Sequence, residues 1–136
     1  MILVKTRVAP STIHGMGLFA VEAIPRGTLV WRFAPGFDRE FTPEQFAALP
    51  AEAQAHLRWF AYVDRKAGVW VLSGDHSCFM NHSADPNTGA PNDATPPVVT
   101  TALREIGASE ELTCNYWEFD DEAGKKLGKA TGDSLT

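Results

Sequence analysis

The chain has 136 residues, of which 44% are apolar, and its 12 basic and 17 acidic side chains give a formal net charge of -5. This length predicts one domain, and the apolar fraction is enough for a single core. The acidic balance argues against binding to nucleic acid phosphates. No run of 18 apolar residues occurs, and the apolar residues 1–4 lead directly to Lys5 and Arg7, so we expect neither a membrane span nor a signal peptide. We therefore expect a soluble protein of the cytoplasm, or of the nucleus if the source is eukaryotic.

The N-terminal half predicts short strands followed by a helical insertion. Residues 2–8 (ILVKTRV) alternate apolar and polar side chains, which indicates a strand with one buried face, and residues 28–33 indicate a second strand. Thr42 begins a capping-box sequence, with Pro at the first helical position, that predicts a short helix ending near residue 49. Helical spacing of apolar residues predicts a second helix over residues 51–60.

The C-terminal half predicts mostly strands and loops. A strand, a turn at residues 65–68 and a strand should cover residues 60–72, and residues 88–97 are typical of a surface loop. Residues 98–102 and 112–116 are expected to be strands. The predicted fold class is therefore mainly β, with one domain over residues 1–119, a helical insertion at about 42–60 and a polar tail over 120–136 that is at best partly ordered beyond Lys126.

Two polar stretches stand out from this pattern. Residues 74–87 read GDHSCFMNHSADPN, and residues 110–116 read EELTCNY. Asn, Asp and Ser favour turns because they bond to nearby backbone, and the residue before Pro86 is excluded from the α region. We interpret the first stretch as a rigid loop braced by its own side chains, and we expect the second stretch to lie against it.

The sequence Gly15-Met16-Gly17, followed by Ala20, also matches a dinucleotide-binding fingerprint. That fingerprint requires a helix after the glycines, and the turn signal at residues 25–27 leaves too little room for one. The remaining interpretations are a tight turn, or a loop whose glycines let the backbone approach a ligand closely.

Four residues could be drawn together as a metal site: His76, Cys78, His82 and Cys114. Their spacing matches no common ligand pattern, and their neighbours suit a turn better, so we expect no metal. Cys78 or Cys114 as a nucleophile, with His82 as its base, is an alternative hypothesis that the sequence supports no better. In a reducing compartment both cysteines should be free thiols, and a buried cysteine is usually a small apolar side chain.

Taken together, the motifs resemble the SET-domain lysine methyltransferases over about residues 5–119. The matching segments occur in the family's order, as Gly15-Met16-Gly17, then residues 78–87 (CFMNHSADPN), then residues 111–116 (ELTCNY). The resemblance implies a SET fold, in which the second and third segments form a pseudoknot. It also implies an enzyme that transfers a methyl group from S-adenosyl-L-methionine to a lysine side chain of a protein substrate.

The resemblance also implies roles for individual residues. Tyr116 would be the tyrosine of the lysine channel, and Tyr62 is our candidate for a second catalytic tyrosine, with Trp59 or Phe60 as alternatives. Trp117 and Phe119 would either line the outer wall of the site or belong to the core. The cofactor would be held by the glycine-containing loop, the Asn-His pair and the channel tyrosine, namely Gly15, Met16, Gly17, Asn81, His82 and Tyr116.

The chain departs from the family pattern at several places. Cys78 stands where Arg is usual, Ala84 replaces a common Cys, and Cys114 stands where an aromatic residue often tunes the number of methyl groups added. A cysteine-rich zinc segment after the core is missing, so either the tail or a second copy of the chain, in a homodimer, would cover the lysine channel. These departures leave open a catalytically silent module that binds cofactor or peptide. Acidic residues after Tyr116, within 118–122, could attract a basic substrate segment.

Overall fold

The computed structural model describes residues 1–91 and 99–128. Short strands dominate these two ranges, so the mainly β fold class is confirmed, and none of their helices is long and apolar enough to cross a bilayer. In chain order the elements are β1 (Thr6–Pro10), β2 (Met16–Ala20), β3 (Leu29–Trp31), β4 (Arg39–Phe41), α1 (Pro43–Ala47), α2 (Ala51–Phe60), β5 (Tyr62–Val63), β6 (Trp70–Leu72), a 3₁₀ turn (His76–Phe79), β7 (Asn81–His82), β8 (Thr88–Gly89), β9 (Thr100–Ala102), β10 (Thr113–Cys114), α3 (Tyr116–Phe119) and α4 (Ala123–Lys126).

The strands form small sheets that meet around one core. β1 and β2 make an antiparallel hairpin, β9 lies between β3 and β8, and β6 lies between β4 and β5. β7 and β10 pair in parallel. The core is built from side chains of β2, β3, β9 and β10 and of the connections between strands, namely Leu18, Ala20, Ile24, Val30, Met80, Ala102, Ile106, Leu112 and Cys114.

The helical insertion follows the predicted pattern. Gln45 N donates to Thr42 Oγ1 at 3.1 Å, and Thr42 N donates to Gln45 Oε1 at 2.9 Å, so the capping box is complete. Helix α2 spans Ala51–Phe60, the range predicted from apolar spacing. These local signals succeed because the groups that satisfy the helix ends are only three or four residues away in sequence.

Two segments predicted as loops contain strands. Thr88 and Gly89 form β8, and both are buried. The Thr88 hydroxyl tolerates this burial because it donates to Thr113 O at 2.7 Å. Residues 92–97 of the same predicted loop, and Val98 of the next predicted strand, lie outside the described residues. The central stretch is likewise not all loop, since it holds the 3₁₀ turn and β7.

Two predicted strands have different ends. The first begins at Thr6 rather than at residue 2, although Ile2 still bridges to Trp31. The last ends at Cys114, and Tyr116 begins a helical turn instead of completing a strand. The reason is local: the Asn115 side chain caps the turn by accepting from Trp117 N at 3.1 Å.

Asn87 fixes the backbone where the chain enters β10. Its amide nitrogen donates to Glu111 O at 2.8 Å, and its amide oxygen accepts from Thr113 N at 2.8 Å. The Asn87 backbone N–H also donates to Thr113 Oγ1 at 3.1 Å, and the residue is 2% exposed. The Asn87 side chain therefore satisfies one backbone carbonyl and one backbone N–H, on either side of Leu112.

Replacing Asn87 by Ala should destabilise the fold strongly. The change leaves the Glu111 carbonyl and the Thr113 N–H without these partners, and we expect a loss of about 2–4 kcal/mol in the free energy of unfolding. Urea titration measures this loss. Asp85→Ala, at an exposed position of the same loop, is the matched control and should unfold near the wild-type midpoint. Equal midpoints for the two variants would contradict the role assigned to Asn87.

Candidate active site

The pairing of β7 with β10 brings the two polar stretches together. Thr113 lies opposite Asn81, and Cys114 lies opposite His82, in parallel register. Ser83 N then donates to Cys114 O at 3.0 Å, which continues the contact past the strand ends. The predicted meeting of these stretches is therefore present in the structure, and it places Asn81, His82 and the residues after Cys114 in one site.

Tyr116 is held at both ends by the first stretch. Its backbone N–H donates to His82 Nδ1 at 3.1 Å, and its hydroxyl donates to Met80 O at 2.7 Å. The His82 and Tyr116 rings lie 5.4 Å apart between centroids. Burial raises the pKa of Tyr116 above its usual value, with Cys114 and Asp120 adding to the effect. The phenol is therefore neutral in the physiological pH range and can orient a ligand without carrying charge.

Asn81 ties the glycine-containing loop to the site. Its amide nitrogen lies 3.1 Å from both His14 O and Met16 O, and 2.9 Å from Glu111 Oε2. Gly15 has φ +47°, a left-handed conformation that favours glycine. The loop is exposed over residues 12–16. Its backbone is thus presented to solvent beside Asn81, as a ligand-binding loop requires.

Gly17 is required by close packing against Glu111. A Cβ at Gly17 would lie 2.5 Å from Glu111 Oε2 and 2.8 Å from Glu111 Cδ. The same carboxylate accepts from Ser11 Oγ at 2.7 and 2.9 Å. Sequence reasoning assigned no role to Ser11 or Glu111. Glu111 belongs to a recognised motif, whereas Ser11 gives no signal, because its partner is 100 residues away.

An aromatic cluster extends from Tyr116 to Tyr62. The Phe119 ring lies edge-on to both tyrosines, at 5.1 Å from Tyr62 and 6.1 Å from Tyr116, and Trp31 packs on the far side of Tyr62 at 6.4 Å. Burial, followed by the nearby Asp64 carboxylate, raises the pKa of Tyr62. This cluster forms an apolar wall beside Tyr116.

The other aromatic candidates lie elsewhere. Trp59 is 68% exposed and Phe60 is 38% exposed, both on α2. Of the three alternatives for the second tyrosine position, Tyr62 is therefore the one that contacts Phe119 beside Tyr116. Trp117 is buried, whereas Phe119 lies between the two tyrosines and belongs to the wall.

The two cysteines have the properties of packed thiols. Burial raises the pKa of Cys114 to about 12, and burial, with a smaller effect of Asp75, raises the pKa of Cys78. Within residues 1–91 and 99–128, no three His, Cys, Asp or Glu side chains are grouped as metal ligands would be. A raised pKa leaves little thiolate, which does not suit the nucleophile hypothesis.

Three of the acids that follow Tyr116 pair with cations of this chain. Asp120 lies 2.7 Å from Lys126 Nζ, Asp121 lies 3.8 Å from Arg65, and Glu122 lies 2.7 Å from Lys125. The proposed attraction of a basic substrate segment therefore has internal competitors. The Arg65 contact joins the segment after Tyr116 to the rest of the domain, and the two lysine contacts lie within that segment.

Comparison with known proteins identifies the fold that carries this geometry. A family model described as "SET domain" matches residues 15–117. The chain belongs to the SET-domain family. The family match starts at the glycine-containing loop and ends one residue after Tyr116, so it spans both sides of the site. The resemblance drawn from the three motifs is thus confirmed, and so is the SET fold.

Curated relatives of this SET domain are much longer proteins. A histone-lysine N-methyltransferase of Aspergillus fumigatus, H3 lysine-4 specific, is 28% identical over 124 residues, covering 85% of this chain and 10% of that protein. Histone-lysine N-methyltransferase 2D of Homo sapiens is 25% identical over 122 residues, covering 87% of this chain and 2% of that protein. The chain therefore spans a tenth or less of these relatives' lengths.

Solved structures share the fold at lower identity. A chain of the Chaetomium thermophilum Polycomb Repressive Complex 2, bound to S-adenosylmethionine in an autoinhibited conformation, superposes with a TM-score of 0.64 at 24% identity, covering 93% of this chain and 17% of that one. A Plasmodium falciparum protein described as a histone methyltransferase gives a TM-score of 0.58 at 20% identity, and the superposition covers 85% of this chain and 95% of that one.

We predict that both thiols resist modification while the protein is folded. At pH 8 a thiol of pKa about 12 is ionised in roughly one molecule in 10⁴, so Cys114 should react far more slowly than an unfolded thiol. The rate of disulfide exchange with an aromatic disulfide reagent tests this. The urea-unfolded protein, in which both cysteines should react rapidly, is the control. Reaction of the folded protein at the unfolded rate would contradict the environment described for the cysteines.

Proposed function

We propose that this SET domain transfers a methyl group from S-adenosyl-L-methionine to the side-chain amine of a lysine in a protein substrate. The observation that carries the proposal is the double attachment of Tyr116, whose N–H donates to His82 and whose hydroxyl donates to Met80 O. This attachment fixes one aromatic side chain between His82 and the Phe119 ring of the apolar wall. Reactions that need alignment more than acid–base chemistry suit such a site.

The residues present fit S-adenosyl-L-methionine on the side of the glycine-containing loop. Residues 14–16 are exposed to solvent there, and Asn81 and His82 offer an amide and an imidazole beside them. Backbone and amide groups of this kind match the ammonium, carboxylate and adenine groups of that cofactor. When bound, the cofactor would supply an electrophilic methyl group on a sulfonium. Gly15, Met16, Gly17, Asn81, His82 and Tyr116 are the residues we propose to hold it.

The aromatic wall suits the amine. Free lysine has a pKa of about 10.4 and is protonated at neutral pH, so it must lose a proton before it can accept a methyl group. Desolvation beside Tyr62, Phe119 and Tyr116 disfavours the ammonium form. The neutral phenol of Tyr116 then orients the amine nitrogen, and alignment of reacting groups accounts for up to roughly 7–11 kcal/mol in ideal cases.

The names of the curated relatives support a protein lysine as the acceptor. They are histone-lysine methyltransferases, but this chain spans only a small part of each and is under 30% identical to them. We therefore propose the class of acceptor, lysine in a protein, and no particular protein. The cytoplasmic location, the homodimer and the absence of nucleic acid binding stay predictions from the sequence.

Removing the Tyr116 hydroxyl should slow methyl transfer. In Tyr116→Phe the bond to Met80 O is lost, the ring can shift, and we expect kcat to fall about 100-fold, as for other misplacements of a catalytic group. Transfer of tritiated methyl groups to a basic protein or a host lysate measures this. A wild-type protein that binds S-adenosyl-L-methionine but transfers no methyl group would instead support the catalytically silent module.

Tyr62 should also contribute, and Trp59 should not. Tyr62→Phe keeps the ring on Phe119 but removes the hydroxyl of this half-buried tyrosine, so we expect a fall in kcat of about tenfold. Trp59→Phe is the matched control, because Trp59 is exposed on α2. The same tritium assay compares them. A larger effect at Trp59 than at Tyr62 would assign the second position to α2.

A further inference from the structure

One buried ion pair is bonded to the backbone on both sides of Tyr62. Lys126 Nζ lies 2.7 Å from Asp120 Oδ2 and also donates to Ala61 O. The other carboxylate oxygen of Asp120 accepts from Val63 N at 3.1 Å. Residues 61 and 63 flank Tyr62, so the pair fixes the short segment that carries this ring.

The same ion pair is attached to Tyr116. Asp120 N donates to Tyr116 O at 2.9 Å, and Lys126 Nζ lies 6.0 Å from the centroid of the Tyr116 ring. That distance allows a cation–π attraction. Phe119, in the turn between Tyr116 and Asp120, fills the space between the two tyrosine rings. The Lys126–Asp120 pair thus connects the segment that carries Tyr62 to Tyr116, on either side of the proposed amine site.

Stabilisation of the fold does not by itself explain why this ion pair is buried. The side chains of Asp120 and Lys126 are 1% and 14% exposed. Removing two charges from water costs several kcal/mol per ion, and replacing such pairs by uncharged side chains is often neutral or stabilising. What an uncharged substitute cannot reproduce is the geometry, in which one ammonium holds a carboxylate, a backbone carbonyl and a tyrosine ring.

We infer that the Lys126–Asp120 pair is a positioning device that holds Tyr62 at a fixed distance from Tyr116 and so sets the width of the amine channel. This inference rests on the proposed function. The pair is bonded to the backbone at residues 61, 63 and 116. Tyr116 is the one proposed cofactor residue among these, and the other five, Gly15, Met16, Gly17, Asn81 and His82, belong to different segments of the chain. Loss of the pair should therefore change kcat and the number of methyl groups added to each lysine, and leave cofactor affinity unchanged.

The decisive variant is the double substitution Asp120→Asn with Lys126→Met. It removes both charges together, so no unpaired charge is left in the interior, and the Asn oxygen can still accept from Val63 N. We expect its kcat to fall at least about tenfold, with a changed ratio of mono-, di- and trimethyllysine in mass spectra of the product. Its dissociation constant for S-adenosyl-L-methionine, measured by calorimetry, should stay within about twofold of the wild type.

Two single variants complete the test. Lys126→Arg keeps a cation beside Asp120 but with a larger, planar head group, so it should retain more of the wild-type kcat than the double variant does. Lys125→Met is the matched control, because Lys125 is 74% exposed and pairs with Glu122 at the surface, and it should behave as wild type.

Three results would overturn the inference. The double variant could keep the wild-type kcat and product ratio, it could lose cofactor affinity in proportion to activity, or it could fail to fold, and the last two would make the pair a general structural element. Absence of transfer by the wild type is a different result, because it removes the proposed function and this inference with it.

Discussion

The structure depends on a parallel pairing of only two residues on each side, Asn81 and His82 with Thr113 and Cys114. Parallel pairs need long connections and are less stable per residue than antiparallel ones, so a contact this short does not persist on its own backbone bonds. Buried polar side chains complete it. Asn87 bonds to the backbone of Glu111 and Thr113, and Thr88 bonds to Thr113 O. The polar side chains of the central stretch are needed to fix this pairing of β7 with β10, which we call the crossing, inside the core.

The crossing divides the site into two sides. On one side Asn81 reaches the carbonyls of the glycine-containing loop, and Glu111 joins Asn81 to Ser11. On the other side the chain leaves β10 through Tyr116 into the aromatic wall. Tyr116 contacts both, because its backbone bonds to His82 and its ring faces Phe119. In the function that we propose, the cofactor and the acceptor amine would reach Tyr116 from these two sides.

The C-terminal segment packs against the part of the chain that carries Tyr62. Asp120 accepts from Val63 N, Lys126 donates to Ala61 O, and Asp64 bridges to Asp120. Asp120 and Ala123 are almost fully buried, so this part of the segment belongs to the packed body of the protein.

What could be predicted from the sequence was local or already encoded in motifs. The capping box of α1, the bounds of α2 and the alternation in β1 follow from neighbours a few residues apart, and the three motifs indicated the crossing. Features that depend on distant partners were missed. Thr88 has the sequence neighbours of a loop residue, and only its bond to Thr113 O explains its burial. Ser11 and Lys126 likewise have no local sequence signal, because their partners, Glu111 and the buried Asp120, are identified only by the structure. The β-branched and apolar residues of 112–116 predict a strand up to Tyr116, and they give no sign that the Asn115 side chain caps a helical turn there.

The most direct test of the central claim is titration of S-adenosyl-L-methionine into ¹⁵N-labelled protein, followed by NMR. If the crossing builds one site, we predict that the amide signals of residues 14–17, Asn81, His82 and Tyr116 shift together, with a single dissociation constant. Absence of binding, or shifts confined to residues away from the crossing, would contradict the claim.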